Sequence, residues 1–205
     1  MISYTLQTNG LVELQKSLTS TALKNEVALA AGRGVANLVK NYLLDDDVNC
    51  PNQLGGTRTH FYASAAESIS EPELSGSSVS FTITKVGLAQ RLYGGPIHAG
   101  VGTSSVTGSP TKYLAIPAHP AAYGQPPSAF SQLRFVPRRN GRAMLVWPLQ
   151  TAGQKKNANR RDNSMVMYWL VPSVKQKPDP SLLPTENQLL DAAITEAERY
   201  LSERL

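Results

Sequence analysis

Thiol chemistry is nearly absent from this chain, because Cys50 is its single cysteine. One thiol builds no internal disulfide framework and fits a reducing compartment. Long apolar runs are missing too. No stretch approaches the ~20 residues that a membrane span needs, and the start, "MISYTLQTNG", has neither the basic lead nor the apolar core of a signal peptide. The expectation is a soluble protein made in the cytoplasm, with no membrane among its partners. Acid is scarce in one region only. Residues 112–177 hold eleven Lys or Arg against Asp162 alone, net +10, while residues 1–111 come to −1 and 178–205 to −4. The modest total of +5 therefore hides a basic block between acidic flanks. Such a block faces either nucleic acid or an acidic patch on a neighbour.

Catalytic signatures are also lacking. The stretch "VGLAQRLYGGPIHAGVG" (86–102) packs five glycines behind a helix-like lead. A P-loop needs a Lys followed by Ser or Thr after its glycines, and a dinucleotide loop needs its glycines between a strand and a helix. Here Gly94-Gly95 follows the helix-like segment and Pro96 comes next, so the stretch reads as a hinge between elements. His60, His98 and His119 lie too far apart for the close ligand spacing of a zinc site. Cys50 sits in a Pro/Asn loop with nothing nearby to lower its pKa. Asp45, Asp46 and Asp47 lack the alternating oxygen ligands of a calcium loop and read as a solvated helix end. The expectation is no enzyme, no cofactor and no metal.

What is present is a pattern of helix, strands and helix. Residues 9–44 read as a long helix, with Val27, Ala31, Val35, Leu38 and Tyr42 on its apolar stripe. Gly32 and Gly34 weaken its middle by up to ~1 kcal/mol each against alanine, so they mark a bend or close packing. The helix is expected to stop near Asp45–Asp47, where acids meet the negative end of the helix dipole. A short amphipathic helix follows at "HFYASAAESI". "SVSFTIT" (78–84) alternates as a half-buried strand with Val79, Phe81 and Ile83 on one side. "KYLAIPA" (112–118) is a short strand, and "LRFVP" and "GRAMLVW" form a hairpin around Asn140-Gly141. "MVMYWLV" (165–171) reads as a buried strand. Thr185 and Gln188 form a capping box for a closing helix, whose inner face carries Leu189, Leu190, Ala193, Ala197, Tyr200 and Leu201. The fold class is α+β, a single domain over 1–205 with a small, mostly antiparallel sheet and extended loops near 99–111 and 151–164.

The basic side chains concentrate in two places. Arg138, Arg139 and Arg142 surround the hairpin tip, and Lys155, Lys156, Arg160 and Arg161 lie in the polar loop after it. Tips of this charge suit sequence-independent phosphate contacts, a contact with an acidic neighbour, or a solvated face. Phe135 and Trp147 fall in apolar strand runs, which argues against sequence-specific base reading.

Taken together, "THFYASAAESI", "VGLAQRLYGGPIHAG", "TKYLAIPA", "AYG" and the closing "VMYWLVPSVKQKPDPSLLPTENQLLDAAITEAERYL" resemble tailed-bacteriophage virion-morphogenesis proteins of the tail-completion and head–tail-connection group. The resemblance runs over roughly residues 58–205. It implies a long helix packed on a small antiparallel sheet, a hairpin or loop extended toward neighbouring subunits, and a homo-oligomeric ring at the neck or the upper end of the tail tube. It also implies neighbouring neck, connector or tail-tube proteins as partners, non-specific contact with passing DNA, and residence in the virion. Alternatives are a minor tail or tail-terminator protein, or a non-specific nucleic-acid-binding module. In the ring reading the seven basic residues contact a neighbouring subunit or passing DNA, and Glu196 and Glu198 are the first acids to try as partners of Arg138 and Arg139.

Overall fold

The computed structural model describes residues 2–6, 21–49, 54–100, 112–138, 143–148 and 164–204. Its contacts gather into two compact units. Unit 1 comprises Met1–Cys50, His60–Gly94 and Lys177–Leu205, and unit 2 comprises Pro51–Thr59 and Gly95–Gln176. The sequence pattern carried no sign of this division.

Unit 1 is built on three antiparallel strands, β1 (Ile2–Leu6), β2 (Glu73–Ser75) and β3 (Ser78–Ile83), in the order β1-β3-β2. The alternation read for β3 holds, since Val79, Phe81 and Ile83 are buried and the residues between them are half-buried. β1 was not expected, although "ISYTL" alternates in the same way. Helix α1 (Thr21–Asn49) lies in the region read as the long helix; residues 9–20 of that reading fall outside the described residues. Val27, Ala31 and Val35 are buried as expected. Further along, the stripe turns onto Val39 and Leu43, and Leu38 and Tyr42 are only half-buried. On a straight helix Leu38 and Tyr42 would stay within about 60° of Val27, so the buried line instead winds around the helix, which packs on β3 and on more than one other helix. Gly32 and Gly34 mark close packing. A Cβ at Gly32 would come 2.5 Å from Val79 Cγ1, and one at Gly34 would come 2.6 Å from the Ala192 carbonyl oxygen.

α1 does not stop near Asp45–Asp47 but runs to Asn49. The reason is a local use for an acid there. Asp47 Oδ2 lies 2.8 Å from His60 Nδ1, and Oδ1 accepts the Ala63 N–H at 3.2 Å. Ala63 is in the first turn of α2 (Phe61–Glu67), whose N-cap His60 has φ 48° and no capping side-chain bond of its own. Asp47 thus supplies from another helix the carboxylate that a first turn wants. Burial works to raise the Asp47 pKa, but the bonds from His60 and from the Ala63 N–H outweigh it and hold the carboxyl below its ordinary value. The sign follows from the depressed value. The stabilisation is complete above the unfolded pKa of ~3.9 and is lost as pH falls through the lower folded pKa. Asp47→Ala is therefore expected to lower stability at neutral pH by about 1 kcal/mol, the range of a lost cap. It should also make stability less dependent on pH below 4. Urea titrations at pH 7, 4 and 3 check this, and identical acid sensitivity in the two proteins would count against it.

Helix α3 (Leu88–Tyr93) ends on Gly94, which has φ 67° and ψ −158°, and Gly95 follows at φ 115°. Side-chain-bearing residues rarely take such backbone angles. β4 (Gly95–His98) begins at once, and the boundary between units 1 and 2 falls between these two glycines. The stretch that resembled a phosphate loop is the point where the chain passes from one unit to the other. The closing helix α4 (Glu186–Ser202) starts on the Thr185–Gln188 capping box and packs along α1. Leu189, Ala193, Ala197, Tyr200 and Leu201 join the core, but Leu190 does not: it is 43% exposed.

Unit 2 holds two antiparallel sheets. β4 pairs with β9 (Ser173–Gln176), and β5 (Leu114–Pro117), β6 (Arg134–Pro137), β7 (Ala143–Trp147) and β8 (Met165–Val171) form a sheet in the order β5-β8-β7-β6. A bulge between Leu145 and Val146 shifts the β7–β8 register, so the neighbours Met167 and Tyr168 are both buried. With Ala122 they form a small core, onto which Phe130, Leu145 and Trp147 pack. The Tyr168 hydroxyl donates to the Gln125 carbonyl at 2.8 Å, and burial pushes its pKa up, so it remains a neutral donor. The expected α+β class, with long helices and antiparallel strands, is what the chain forms.

Candidate functional site

Charge follows the division into units. Unit 2 carries eleven Lys or Arg against Asp162 alone, net +10, and unit 1 carries nine against fourteen acids, net −5. The described residues of unit 2 contain no acid at all. A basic surface without internal counter-charges is what a negative partner requires.

The four-stranded sheet supplies that surface with an apolar row. Directly paired residues share a face, so Ile116, Trp169, Met144 and Val136 lie side by side across all four strands. Ile116 is 37% and Trp169 39% exposed, and the other two are half-buried. β8 is therefore not the fully buried strand its continuous apolar run suggested. Arg138, exposed at the end of β6, stands over this row with its guanidinium carbon 5.5 Å from the centre of the Trp169 ring. Cation–π attraction at an exposed site contributes about 0.5–1 kcal/mol. Beside the pair opens a cavity of about 420 Å³, with Val171, Pro172 and Ser173 among its walls. On the other face Phe135 is 54% exposed, and its ring centre is 6.4 Å from that of Tyr113, itself covered by Lys112 at 5.7 Å. Phe135 and Trp147, grouped together by sequence, separate here. Trp147 packs edge-on against Phe130, while Phe135 stands out on the edge strand.

Of the seven basic residues singled out in the sequence, Arg138 is placed by the structure. Arg139, Arg142, Lys155, Lys156, Arg160 and Arg161 lie outside the described residues, as do the segments 102–111 and 152–163, most of Asn140-Gly141's surroundings, and Cys50. The antiparallel hairpin expected around that tip is present as β6 and β7. His119 has a local task, since its Nδ1 accepts the Ala121 N–H at 3.2 Å and caps a short 3-10 turn. His60 serves Asp47, and His98 pairs with Ser173 between β4 and β9. Among the described residues no three His, Cys, Asp or Glu side chains are grouped to hold a metal ion, and no helix is long and apolar enough to cross a membrane.

The two acids proposed as partners differ in availability. Glu196 is tied to Arg199, whose Nε donates to its Oε2 at 3.1 Å, and that bonding holds the Glu196 carboxyl below its ordinary pKa. Glu198 is exposed, with no ion pair to it among the described residues. Trp169, Ile116 and Leu190 were missed as surface residues. The signal for Leu190 was its place at the rim of the helical stripe; for Trp169 and Ile116 it would have needed the strand pairing. Compared with protein-family models, curated proteins and solved structures, the chain matches none.

Proposed function

We propose that this chain is a structural protein of a tailed phage or prophage particle, a tail-completion or neck-ring subunit at the head–tail interface, with no catalytic role. The observation that carries the reading is the division of charge into a basic unit 2 and an acidic unit 1. A ring of identical subunits joined head to tail needs two different, complementary surfaces on every copy. A chain of one sign throughout would repel its own copies. The phrase-level resemblance over residues 58–205 supplies the class of particle, and it extends the partners to neighbouring neck, connector or tail-tube proteins. A minor tail or tail-terminator subunit has the same requirements. Residence is in the virion after synthesis in the host cytoplasm.

A second reading is favoured by one observation. Trp169 and Phe135 are exposed on a unit whose described residues hold no acid, Trp169 beneath Arg138 and Phe135 beside the Tyr113 that Lys112 covers. Exposed aromatics beside cations suit non-specific stacking and phosphate contact. Titration of the isolated protein with duplex and single-stranded DNA separates the two. A ring subunit that only lets DNA slide past is expected to bind more weakly than about 10⁻⁴ M at near-physiological salt, the weak end of non-specific binding. Micromolar or tighter binding under those conditions transfers the case to a nucleic-acid-binding module.

A further inference from the structure

Resting on the ring reading, we infer that the cavity beside Trp169 receives the Leu190 flank of α4 from a second copy of this chain. On α4 the residues Glu186, Leu190, Ile194 and Glu198 follow at intervals of four, in a row inclined to the helix axis that turns by about 120° from Glu186 to Glu198, with Ile194 packed against the core. Leu190 is 43% exposed, Ile194 is half-buried, and Glu186 and Glu198 are exposed with no ion pair to either among the described residues. The stripe is thus an apolar centre between two uncommitted carboxylates.

The cavity has the opposite make-up. Trp169, Val171 and Pro172 give it apolar walls, and Arg138 stands at its rim. Ser173 and Lys175 alternate with Val174 along β9 and are both exposed, so a second cation lies on the Ser173 side of that strand. Leu190 supplies the apolar group for the cavity, and Glu186 and Glu198 supply the charges for Arg138 and Lys175. The centre is apolar and the rim charged, the usual anatomy of a protein interface.

Two cavities would bring cations together and two stripes would bring carboxylates together, so neither surface complements itself. Two copies could exchange both contacts about a two-fold axis; the ring reading instead requires each copy to use the two surfaces on two different neighbours. That is a heterologous contact, which closes into a ring or continues as a filament.

The test is cysteine cross-linking in full-length protein with Cys50→Ser throughout. One preparation carries Ser173→Cys, another Leu190→Cys, and a third carries both. Under mild oxidation the mixed single variants are expected to give a covalent dimer, and the double variant a ladder of higher species. Arg138→Glu is expected to reduce the cross-linking rate about 100-fold, as like charges meet across the contact. Glu198→Lys on the partner should recover part of the loss. Circular dichroism confirms that each variant is folded. Cross-links only between identical single variants, or an Arg138→Glu protein that cross-links unchanged, overturn the inference. Native mass spectrometry of the uncross-linked protein separates the two levels. Closed oligomers without a 173–190 link reject this pair of surfaces and leave the ring reading standing, whereas a protein that is monomeric throughout and unlinked rejects both.

Discussion

Replacing Tyr168 by alanine is expected to lower stability by about 3–5 kcal/mol, the range for removing a large aromatic side chain from a packed core. The effect should be at the upper end because the core it anchors is small. Tyr168 is 1% exposed, and among the described residues only Met167 and Ala122 are buried with it in that cluster. Its ring also receives Phe130 edge-on at 6.1 Å. Tyr168→Phe removes only the hydroxyl and leaves the Gln125 carbonyl without its partner, a change of about 1–2 kcal/mol. Urea unfolding gives the magnitudes, and hydrogen exchange should show the loss of protection in β5, β7 and β8 first. An alanine effect below about 1 kcal/mol would mean that this cluster does not hold the sheet.

Gly34→Ala is expected to destabilise, against the usual gain from replacing a helical glycine. Helix propensity favours alanine by up to ~1 kcal/mol. The new Cβ would stand 2.6 Å from the Ala192 carbonyl oxygen and 2.7 Å from Glu196 Cβ. A backbone oxygen cannot rotate aside, so α1 and α4 must separate along their whole contact. Overpacking of this kind costs about 1–3 kcal/mol, which exceeds the propensity gain. Gly34→Leu should lie at or beyond the top of that range. The unfolding midpoint in urea decides the sign, and an alanine variant more stable than the native protein would show that the two helices are not in close contact.

Features that depend on neighbouring residues were legible in the sequence. The Thr185–Gln188 capping box, the β3 alternation and the closing helix each follow from spacing within a few positions. β1 was equally legible, since Ile2, Tyr4 and Leu6 alternate with Ser3 and Thr5, but its five residues lie at the very start of the chain. The 21–49 helix was read correctly in kind, and its end was misplaced because Asp47 answers to His60 and Ala63, thirteen and sixteen positions away. No rule about helix dipoles contains that partner.

Long-range pairing hid the rest. β4 and β9 are short and largely polar, and each becomes a strand only by meeting the other across more than seventy residues. The division into units depends on such pairings, so composition alone could give the charge block but not the body that carries it. Once the boundary at Gly94–Gly95 is known, the segment charges regroup into +10 and −5. The candidate surface was half legible. Arg138 could be found by counting charges, but Trp169 sits in "MVMYWLV", where every position is apolar and nothing local tells the two faces apart. Only the register Ile116–Trp169–Met144 shows that it faces outward.

The most direct measurement is to image particles that carry this chain with an affinity label on the exposed end of α4. The account predicts label at one axial level, at the joint between head and tail, with several copies arranged about the particle axis. Label absent from purified particles, or recovered with free nucleic acid instead, would contradict it.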